Sequence, residues 1–197
     1  MKRGYLLGAL LCVSCVLTGC SSFSPSVSGV SISKKGEITA VVREKFDKGY
    51  YDKKELEEQV ESEIEQYNAK TGEKSVKKRK LSVKDGMAVL NISYKTAKDY
   101  ADFNNVGFYM GNIQGAVQAG YAFEDEFFEV ADGKRKEDAP VWGSQIMSGK
   151  NYQTVAIEEA LLVEVPGEIR YVSGNVKVTD KSTAVLEENE TAYILYE

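Results

Sequence analysis

Hydrophobic residues recur along this chain at two spacings, one typical of helices and the other typical of strands. The clearest helical pattern has intervals of four, four and three residues: Leu56, Val60, Ile64 and Tyr67. Residues at these intervals lie on one face of a helix. Asp52 precedes the pattern with Glu55 three residues later, as in a capping box, and Gly72 follows it as a C-terminal stop. The sequence therefore predicts a helix from Asp52 to about Lys70.

The strongest strand signal is Asp85-Gly86, which lies between two alternating runs and predicts a two-residue type I′ hairpin. In the corresponding register, one face carries the apolar side chains: Leu81, Val83, Leu90, Ile92 and Tyr94. The opposite face is polar. Upstream, the β-branched residues between positions 30 and 46 predict one strand, or two strands around Lys35-Gly36.

From Tyr121 onward, turn residues separate short apolar stretches at the spacing of an antiparallel sheet. Residues 134–140 (KRKEDAP) are polar and predict a loop. After this loop we expect six strands, at residues 153–158, 161–165, 169–173, 176–179, 184–186 and 191–196.

A second helix is predicted from Thr96 or Asp99 to about residue 121. It contains four small residues at intervals of four: Gly107, Gly111, Gly115 and Ala119. On a helix they would form a smooth ridge, and each interior glycine costs about 1 kcal/mol relative to alanine. We expect a compensating contact, in which the ridge packs tightly on the sheet or on the first helix. The alternatives are a self-association face and a groove for an extended ligand.

Together these elements predict a single α+β domain over residues 29–197, in which two main helices pack on one face of an antiparallel β-sheet. Hydrophobic residues make up 43% of the chain, which is enough to build one core. The sequence contains no internal repeat that would divide this domain further.

The N-terminus combines positive charge, an apolar run and small residues. Lys2 and Arg3 precede an apolar run over residues 5–17, which is shorter than the ~20 residues of a membrane-spanning helix. The motif Leu17-Thr18-Gly19-Cys20 follows, and it resembles the lipobox of bacterial lipoproteins. The resemblance implies that residues 1–19 are a signal peptide and that the sulfur of Cys20 receives a diacylglycerol. The alternatives are an ordinary secretory signal with an incidental cysteine, and a plain anchor helix.

The resemblance also implies a location, a membrane partner and a covalent group. The protein would be extracytoplasmic and held on the cell membrane by the diacylglycerol of Cys20, with no other cofactor. Residues 20–28 are rich in serine and predict a tether between the lipid and the domain. Cys12 and Cys15 would leave with the signal peptide.

The net charge of the chain is −5, and loss of Lys2 and Arg3 would make the mature protein more acidic by two charges. An acidic domain is repelled by nucleic acid and by anionic lipid surfaces, so we expect no nucleic-acid partner and a membrane attachment that the lipid of Cys20 supplies. One basic cluster, residues 74–80 (KSVKKRK), could contact an anionic wall polymer or lipid headgroups. It follows the acidic residues 55–65 (ELEEQVESEIE), and we expect the two segments to neutralise each other.

The residue types limit the possible chemistry. The chain has no histidine, and its three cysteines lie at or before position 20. We therefore expect no metal site, no catalytic site and no enzymatic activity. Three carboxylate groups could act on glycans only if they converged: Glu158-Glu159, Glu124-Asp125-Glu126 and Glu187-Glu188. Trp142 and Tyr109 are candidate ligand contacts, because aromatic rings stack on sugars and anchor protein partners.

Three functional hypotheses follow. The first is a lipid-anchored extracytoplasmic module that binds a protein or polymer of the bacterial cell envelope, or scaffolds an assembly there. The second is a wall-directed hydrolase that uses carboxylates or Ser and Lys. The third is a small-ligand-binding accessory lipoprotein, which needs a deep pocket beside residues 107–115.

Overall fold

The computed structural model describes residues 23–124 and 126–197, which form two β-sheets and four helices. One sheet has seven strands and the other has six, and we call them sheet A and sheet B. The elements in chain order are β1 (Gly29–Ile32), β2 (Ile38–Lys45), α1 (Lys53–Thr71), β3 (Val76–Lys84), β4 (Met87–Tyr94), α2 (Ala97–Asn104), β5 (Phe108–Asn112), α3 (Ile113–Gln118), β6 (Glu126–Ala131), β7 (Lys134–Trp142), α4 (Gly143–Ser148), β8 (Gln153–Ile157), β9 (Leu162–Glu164), β10 (Ile169–Ser173), β11 (Val176–Asp180), β12 (Thr183–Leu186) and β13 (Ala192–Tyr196).

Sheet A has the strand order β11-β12-β9-β1-β2-β4-β3. β1 and β2 are antiparallel and are joined through a turn in which Gly36 has a φ of +82°. The two-strand alternative for residues 30–46 is therefore confirmed. β1 also pairs in parallel with β9, which brings the N-terminal and C-terminal parts of the chain into one sheet.

Sheet B has the strand order β5-β8-β13-β10-β6-β7, and its pairs are all antiparallel. All five residues of β13 are buried, because this strand is interior to the sheet and both faces of the sheet are covered. The six strands predicted between residues 153 and 196 are confirmed as β8 to β13, with ends that shift by at most one residue.

Two cores hold these layers together. The larger core contains inward side chains of sheet A, such as Ile38 and Ile92, together with Val155 and Ile194 of sheet B. Residues of α1 and α2 belong to the same core. The smaller core lies on the other face of sheet B, where α3 and α4 cover residues such as Phe127. Burial of these side chains is the main stabilising contribution to the fold.

The first predicted helix is confirmed as α1. The side chain of Asp52 accepts hydrogen bonds from the backbone N–H groups of Lys54 and Glu55, at 2.7 and 3.0 Å. Gly72 ends the helix in the left-handed conformation, with a φ of +72°. Val60 and Ile64, from the predicted apolar face, are buried.

The second predicted helix is wrong beyond Asn104. α2 ends because Asn105 adopts a left-handed conformation, with a φ of 53°. The chain then forms β5, which pairs with β8, and helix α3 begins only after Asn112. The Asn112 side chain caps α3 by accepting a hydrogen bond from the N–H of Gly115 at 2.8 Å. The pairing partner of β5 lies more than 40 residues away, so local spacing could not reveal it.

The predicted single antiparallel sheet is wrong, because there are two sheets and one of them contains a parallel pair. The α+β class is confirmed, but most of the regular structure is β, and the strands divide between two sheets. Residues 134–140 form most of β7 and are not a loop. β7 is an edge strand with mostly exposed side chains, which explains its polar sequence and its tolerance of Pro140.

Candidate functional site

The β3–β4 hairpin directs apolar and charged side chains to opposite faces of sheet A. Asp85 and Gly86 both have positive φ angles, 52° and 70°, as a type I′ turn requires. Val83 pairs with Ala88, so the predicted register is confirmed. The face of sheet A that is turned away from the larger core is called the outer face below.

A β-bulge interrupts the alternation of β3. Lys78 pairs with Ile92 and Lys80 pairs with Asn91, which leaves Arg79 as an extra residue. In a regular strand, residues two positions apart lie on the same face. The inserted residue therefore shifts the alternation by one position. After the bulge, the side chains that point outward are those that a regular strand would point inward.

The bulge increases the positive charge of the outer face. Arg79 projects to this face, since its Nε donates a hydrogen bond to the outward Ser93 Oγ at 2.8 Å. Lys77 and Lys80 also point outward, whereas Leu81 points to the core. Strict alternation would have placed Leu81 on the same face as Lys77 and Arg79.

We define the basic face as the outward side chains of β2, β3 and β4. The strand register assigns six cations to it: Arg43, Lys45, Lys77, Arg79, Lys80 and Lys84. Its other side chains are uncharged: Thr39, Val41, Ser82, Met87, Val89, Asn91 and Ser93. Among the described residues, Lys84 is the one cation of this face within 4.0 Å of a carboxylate, that of Asp85 at 3.9 Å.

We expected the basic cluster to be neutralised by the acidic residues 55–65. Within β3, this holds for Lys78 alone. Lys78 points inward and binds two carboxylates of α1, those of Glu57 and Glu61. The hydrogen bond from Lys78 lowers the pKa of Glu57, and the same contacts raise the pKa of Lys78. The other cations of β3 lie across the sheet from α1. The cluster was visible in the sequence, but Arg43, Lys45 and Lys84 belong to the same face only through the strand register.

One end of the basic face forms a shallow depression of about 450 Å³. Its lining includes Thr39, Lys77, Arg79, Ser93 and Lys95. Hydroxyl groups beside cations are donors of the kind that bind phosphate or carboxylate oxygens. Two carboxylates also line the depression, Glu37 and Glu73, and the second is paired with Lys95. The depression is open, so it fits an anionic group on a larger partner better than an enclosed small ligand.

The described residues before β1 lie beside the basic face. The Nε of Arg43 donates a hydrogen bond to the carbonyl oxygen of Pro25 at 2.8 Å, and the backbone N–H of Arg43 donates to Ser28 Oγ at 2.9 Å. Val41 points outward next to this segment, yet it is only 2% exposed. Residues 25–28, the second half of the predicted tether, are therefore hydrogen-bonded to sheet A.

The four residues of the predicted glycine ridge do not lie on one helix. Gly107 precedes β5, Gly111 lies within it, Gly115 is in α3 and Ala119 caps α3. Two of them have a common explanation, because a Cβ on Gly111 or on Gly115 would lie 2.2 Å from Tyr109 Oη. These glycines make room for the Tyr109 ring, and the helical ridge is wrong.

The two candidate ligand contacts do not form one site. Tyr109 is half-buried, and its hydroxyl donates a hydrogen bond to the carbonyl oxygen of Asn112 at 3.0 Å. Trp142 is 57% exposed at the end of β7. β5 and β7 are the opposite edges of sheet B, five strand spacings apart, which corresponds to about 24 Å.

The structure brings two of the three carboxylate groups together, because Glu124 and Glu158 line one open depression. A glycosidase needs two carboxylates on either side of the bond that it cleaves. Glu158 accepts a hydrogen bond from Thr191 Oγ1 at 3.2 Å, whereas Glu159 accepts one from Tyr100 Oη at 2.6 Å. Glu187 and Glu188 line a different, open depression. Within residues 23–124 and 126–197, no group of three or more His, Cys, Asp or Glu side chains could hold a metal ion.

Cys20 and the rest of the lipobox lie outside the described residues. Over the part of the chain that is described, no helix combines the length and the apolar composition needed to cross a bilayer. Comparison of the chain with protein-family models, with curated proteins and with solved structures finds no match in any of the three.

Proposed function

We propose that this protein is a lipid-anchored, extracytoplasmic binding module of the bacterial cell envelope, and that its basic face binds an anionic partner. One observation carries the proposal: three adjacent strands present six outward cations and no outward carboxylate. The chain has 30 Asp and Glu residues and 25 Lys and Arg residues. An even distribution of charge over the surface would therefore place carboxylates among those cations. The lipid anchor is supported by the resemblance of Leu17-Thr18-Gly19-Cys20 to a lipobox.

The distribution of charge across sheet A supports a directed interaction. The carboxylates of α1 lie on the core side of β3, where Glu57 and Glu61 bind Lys78. Of the outward cations, Lys84 lies 3.9 Å from Asp85. The other five are more than 4.0 Å from every described carboxylate, and all six are exposed or half-buried. A surface of one sign attracts the opposite charge within about 10 Å at physiological salt, even when the net charge of the protein has the wrong sign.

Protection of an edge strand explains only part of this face. β3 is the edge of sheet A, and lysines and bulges at an edge prevent pairing with other strands. Arg43 and Lys45, however, lie on β2, which is paired with β1 on one side and β4 on the other. These two residues lie past the end of β1, which pairs with residues 38–41, and they extend the positive surface from the edge strand across β4 to β2.

The binding surface can be tested by retention on immobilised inorganic polyphosphate, a simple anionic polymer. The variant Lys77→Gln/Arg79→Gln/Lys80→Gln should elute at clearly lower salt than the parent, because fewer counterions are exchanged on binding. A matched control, Lys134→Gln/Lys177→Gln/Lys181→Gln, removes the same charge elsewhere and should elute close to the parent. Equal elution of the two triple variants would overturn the assignment of the basic face.

The anchor can be tested separately with Cys20→Ala. Without an acceptor thiol the protein should be released from membranes or remain unprocessed, and both outcomes are visible after cell fractionation and gel electrophoresis. Ser21→Ala, next to the acceptor, is the control and should behave like the parent. A Cys20→Ala protein that fractionates and migrates like the parent would contradict lipid anchoring.

A further inference from the structure

We infer that the basic face lies against the bilayer that holds the anchor, with its cations bound to the anionic headgroups of the lipids. The inference rests on the proposed lipid anchor and names the partner of the proposed binding face. It has three supports: the path of residues 23–28, the charge on the two sides of sheet A, and an exposed pair of tyrosines at one end of the face.

The N-terminal segment fixes where the lipid would emerge. Pro25 is held at Arg43, within the basic face, by the 2.8 Å hydrogen bond from the guanidinium. Cys20 lies five residues before Pro25, and five extended residues span at most about 18 Å. The acyl chains of Cys20 would therefore enter the bilayer close to this face. A tether of this length leaves little room for the domain to turn the face away from the membrane.

The charge of the two sides of sheet A favours one orientation. Cations within about 10 Å of an anionic surface are attracted to it, and more distant charges are screened. With the basic face down, its six cations lie in this range while α1 stands on the far side of the sheet. With α1 down, exposed carboxylates such as Glu58 and Glu61 would face the lipid phosphates and be repelled.

A pair of exposed tyrosines lies in the loop that is joined to the tip of the β3–β4 hairpin. Residues 46–52 connect β2 to α1, and in this loop Tyr50 is 78% exposed and Tyr51 is 42% exposed. Their rings contact each other with centroids 4.9 Å apart, and Tyr51 also contacts Phe46 at 4.9 Å. The backbone N–H of Phe46 donates to the carbonyl oxygen of Gly86 at 2.8 Å, so the loop is joined to the hairpin tip beside the basic face.

These tyrosines suit a membrane interface better than a soluble polymer. Tyrosine rings are enriched at the headgroup level of bilayers, where the ring is in an apolar layer and the hydroxyl is in water. Charge at this tip is balanced, because Asp47 and Asp85 accompany Lys48 and Lys84. The tip therefore contributes apolar contact, and the cations of the strands contribute the electrostatic attraction.

The test uses the lipidated full-length protein in vesicles of phosphatidylcholine with phosphatidylglycerol. After processing, the proposed anchor leaves no free thiol, so a single introduced cysteine can carry a fluorophore. Ser82→Cys places the label on the basic face and Glu58→Cys places it on α1. Thr39→Cys is a second position on the face if Ser82→Cys does not fold, as judged by circular dichroism. Lipids with a nitroxide on the headgroup quench labels that lie close to the membrane.

We expect the Ser82→Cys label to be quenched at least about twofold more than the Glu58→Cys label, since a helix is about 10 Å thick. The difference should shrink in phosphatidylcholine alone, in high salt and in the Lys77→Gln/Arg79→Gln/Lys80→Gln background. Equal quenching of the two labels would overturn the inference. A Ser82→Cys label that responds to added polyphosphate and not to the quencher would also overturn it, in favour of a polymer partner.

Flotation of the vesicles separates this inference from the proposed function. Protein that does not float with the vesicles has no lipid anchor, and the proposed function fails. Protein that floats but shows no difference between the two labels retains the anchor, and only the orientation fails. Tyr50→Ala/Tyr51→Ala should keep flotation and reduce the quenching difference, whereas an unchanged difference would remove the tyrosines from the contact.

Discussion

Tyr109 lies over Gly111 and Gly115, and its hydroxyl donates to the carbonyl oxygen of Asn112 at 3.0 Å. We expect Gly111→Ala to lower the free energy of unfolding by about 1–3 kcal/mol, because overpacking displaces the ring and breaks this hydrogen bond. Urea unfolding measures the effect. Gly49→Ala is the matched control, since nothing lies within 4 Å of its added methyl group. Equal transition midpoints for the two variants would show that the contact at Gly111 relaxes without cost.

Tyr67 is one of several tyrosines that make the protein less stable at alkaline pH. Burial and the hydrogen bond to Asp99, at 3.1 Å, raise the pKa of Tyr67 to about 12. A tyrosine in the unfolded chain titrates near 10.0, so above this pH the unfolded state loses its proton first. Stability should therefore be complete below about pH 10 and fall as the pH rises toward 12.

The variant Tyr67→Phe isolates this contribution. It should lose less stability between about pH 9 and pH 11 than the parent, when free energies of unfolding are measured in urea at each pH, because one proton-releasing group has been removed. Tyr50→Phe, at an exposed ring, should keep the parental pH dependence. If Tyr67→Phe and the parent lose stability in parallel, the Tyr67–Asp99 contact does not contribute to this loss.

Contacts of single residues explain why the glycine spacing was misleading. Gly107, Gly111 and Gly115 follow each other at intervals of four, which also occurs on a helix face. Two of these glycines are required by the position of the Tyr109 hydroxyl. A spacing pattern records where small residues occur, but the neighbour that excludes a side chain is brought in by the tertiary fold.

At the scale of the element, the bulge in β3 decides which side chains face outward. Deletion of Arg79 would remove the extra residue and leave Lys78 opposite Ile92 and Lys80 opposite Asn91. We therefore expect the deletion to keep the register and most of the stability, measured by urea unfolding. Deletion of Ser82, outside the bulge, would move part of β3 to the wrong face and should prevent folding or cost several kcal/mol. Equal instability of both deletions would mean that the bulge itself is required.

The elements that local pattern predicted correctly are those stabilised by nearby residues. α1 has its own cap, stop and apolar face, and the β3–β4 hairpin has its own turn. β5 and β7 were missed because their strand character depends on partners. β5 pairs with β8, and β7 is an exposed edge strand whose sequence lacks an apolar face. Half of the basic face was visible as a cluster in β3. The position of Lys84 follows from the register of the β3–β4 hairpin, and those of Arg43 and Lys45 required the register of β2.

For the whole molecule, the division into two sheets depends on contacts between distant parts of the chain. β1 pairs in parallel with β9, with Val30 opposite Val163, and β9 pairs with β12. Neither pairing leaves a local signal, because no tight turn joins the paired strands and the tertiary fold chooses the partner. The number of strands could therefore be predicted more closely than their arrangement, and the outer face of sheet A could be predicted for the β3–β4 hairpin but not for β2.

Arg135 connects the two sheets at their margin. Its replacement tests how much this connection contributes to the free energy of unfolding. From β7 of sheet B, its Nη1 donates to the carbonyl oxygens of Gly174 and Val176, at 2.7 and 3.1 Å, and Val176 belongs to β11 of sheet A. The guanidinium also lies 4.6 Å from the centre of the Phe128 ring. Arg135→Lys retains the charge but loses the planar group that makes these contacts together.

We expect Arg135→Lys to lower the free energy of unfolding by about 1–2 kcal/mol, because one exposed and one part-buried carbonyl lose the guanidinium donor. It should also speed hydrogen exchange in β11 more than in the interior strand β13, since the margin between the sheets opens first. Lys136→Gln, in the same strand, removes an exposed pair with Glu129 and should change stability by less than about 0.5 kcal/mol. Similar effects of the two variants would show that the sheets are joined by their shared core and not by Arg135.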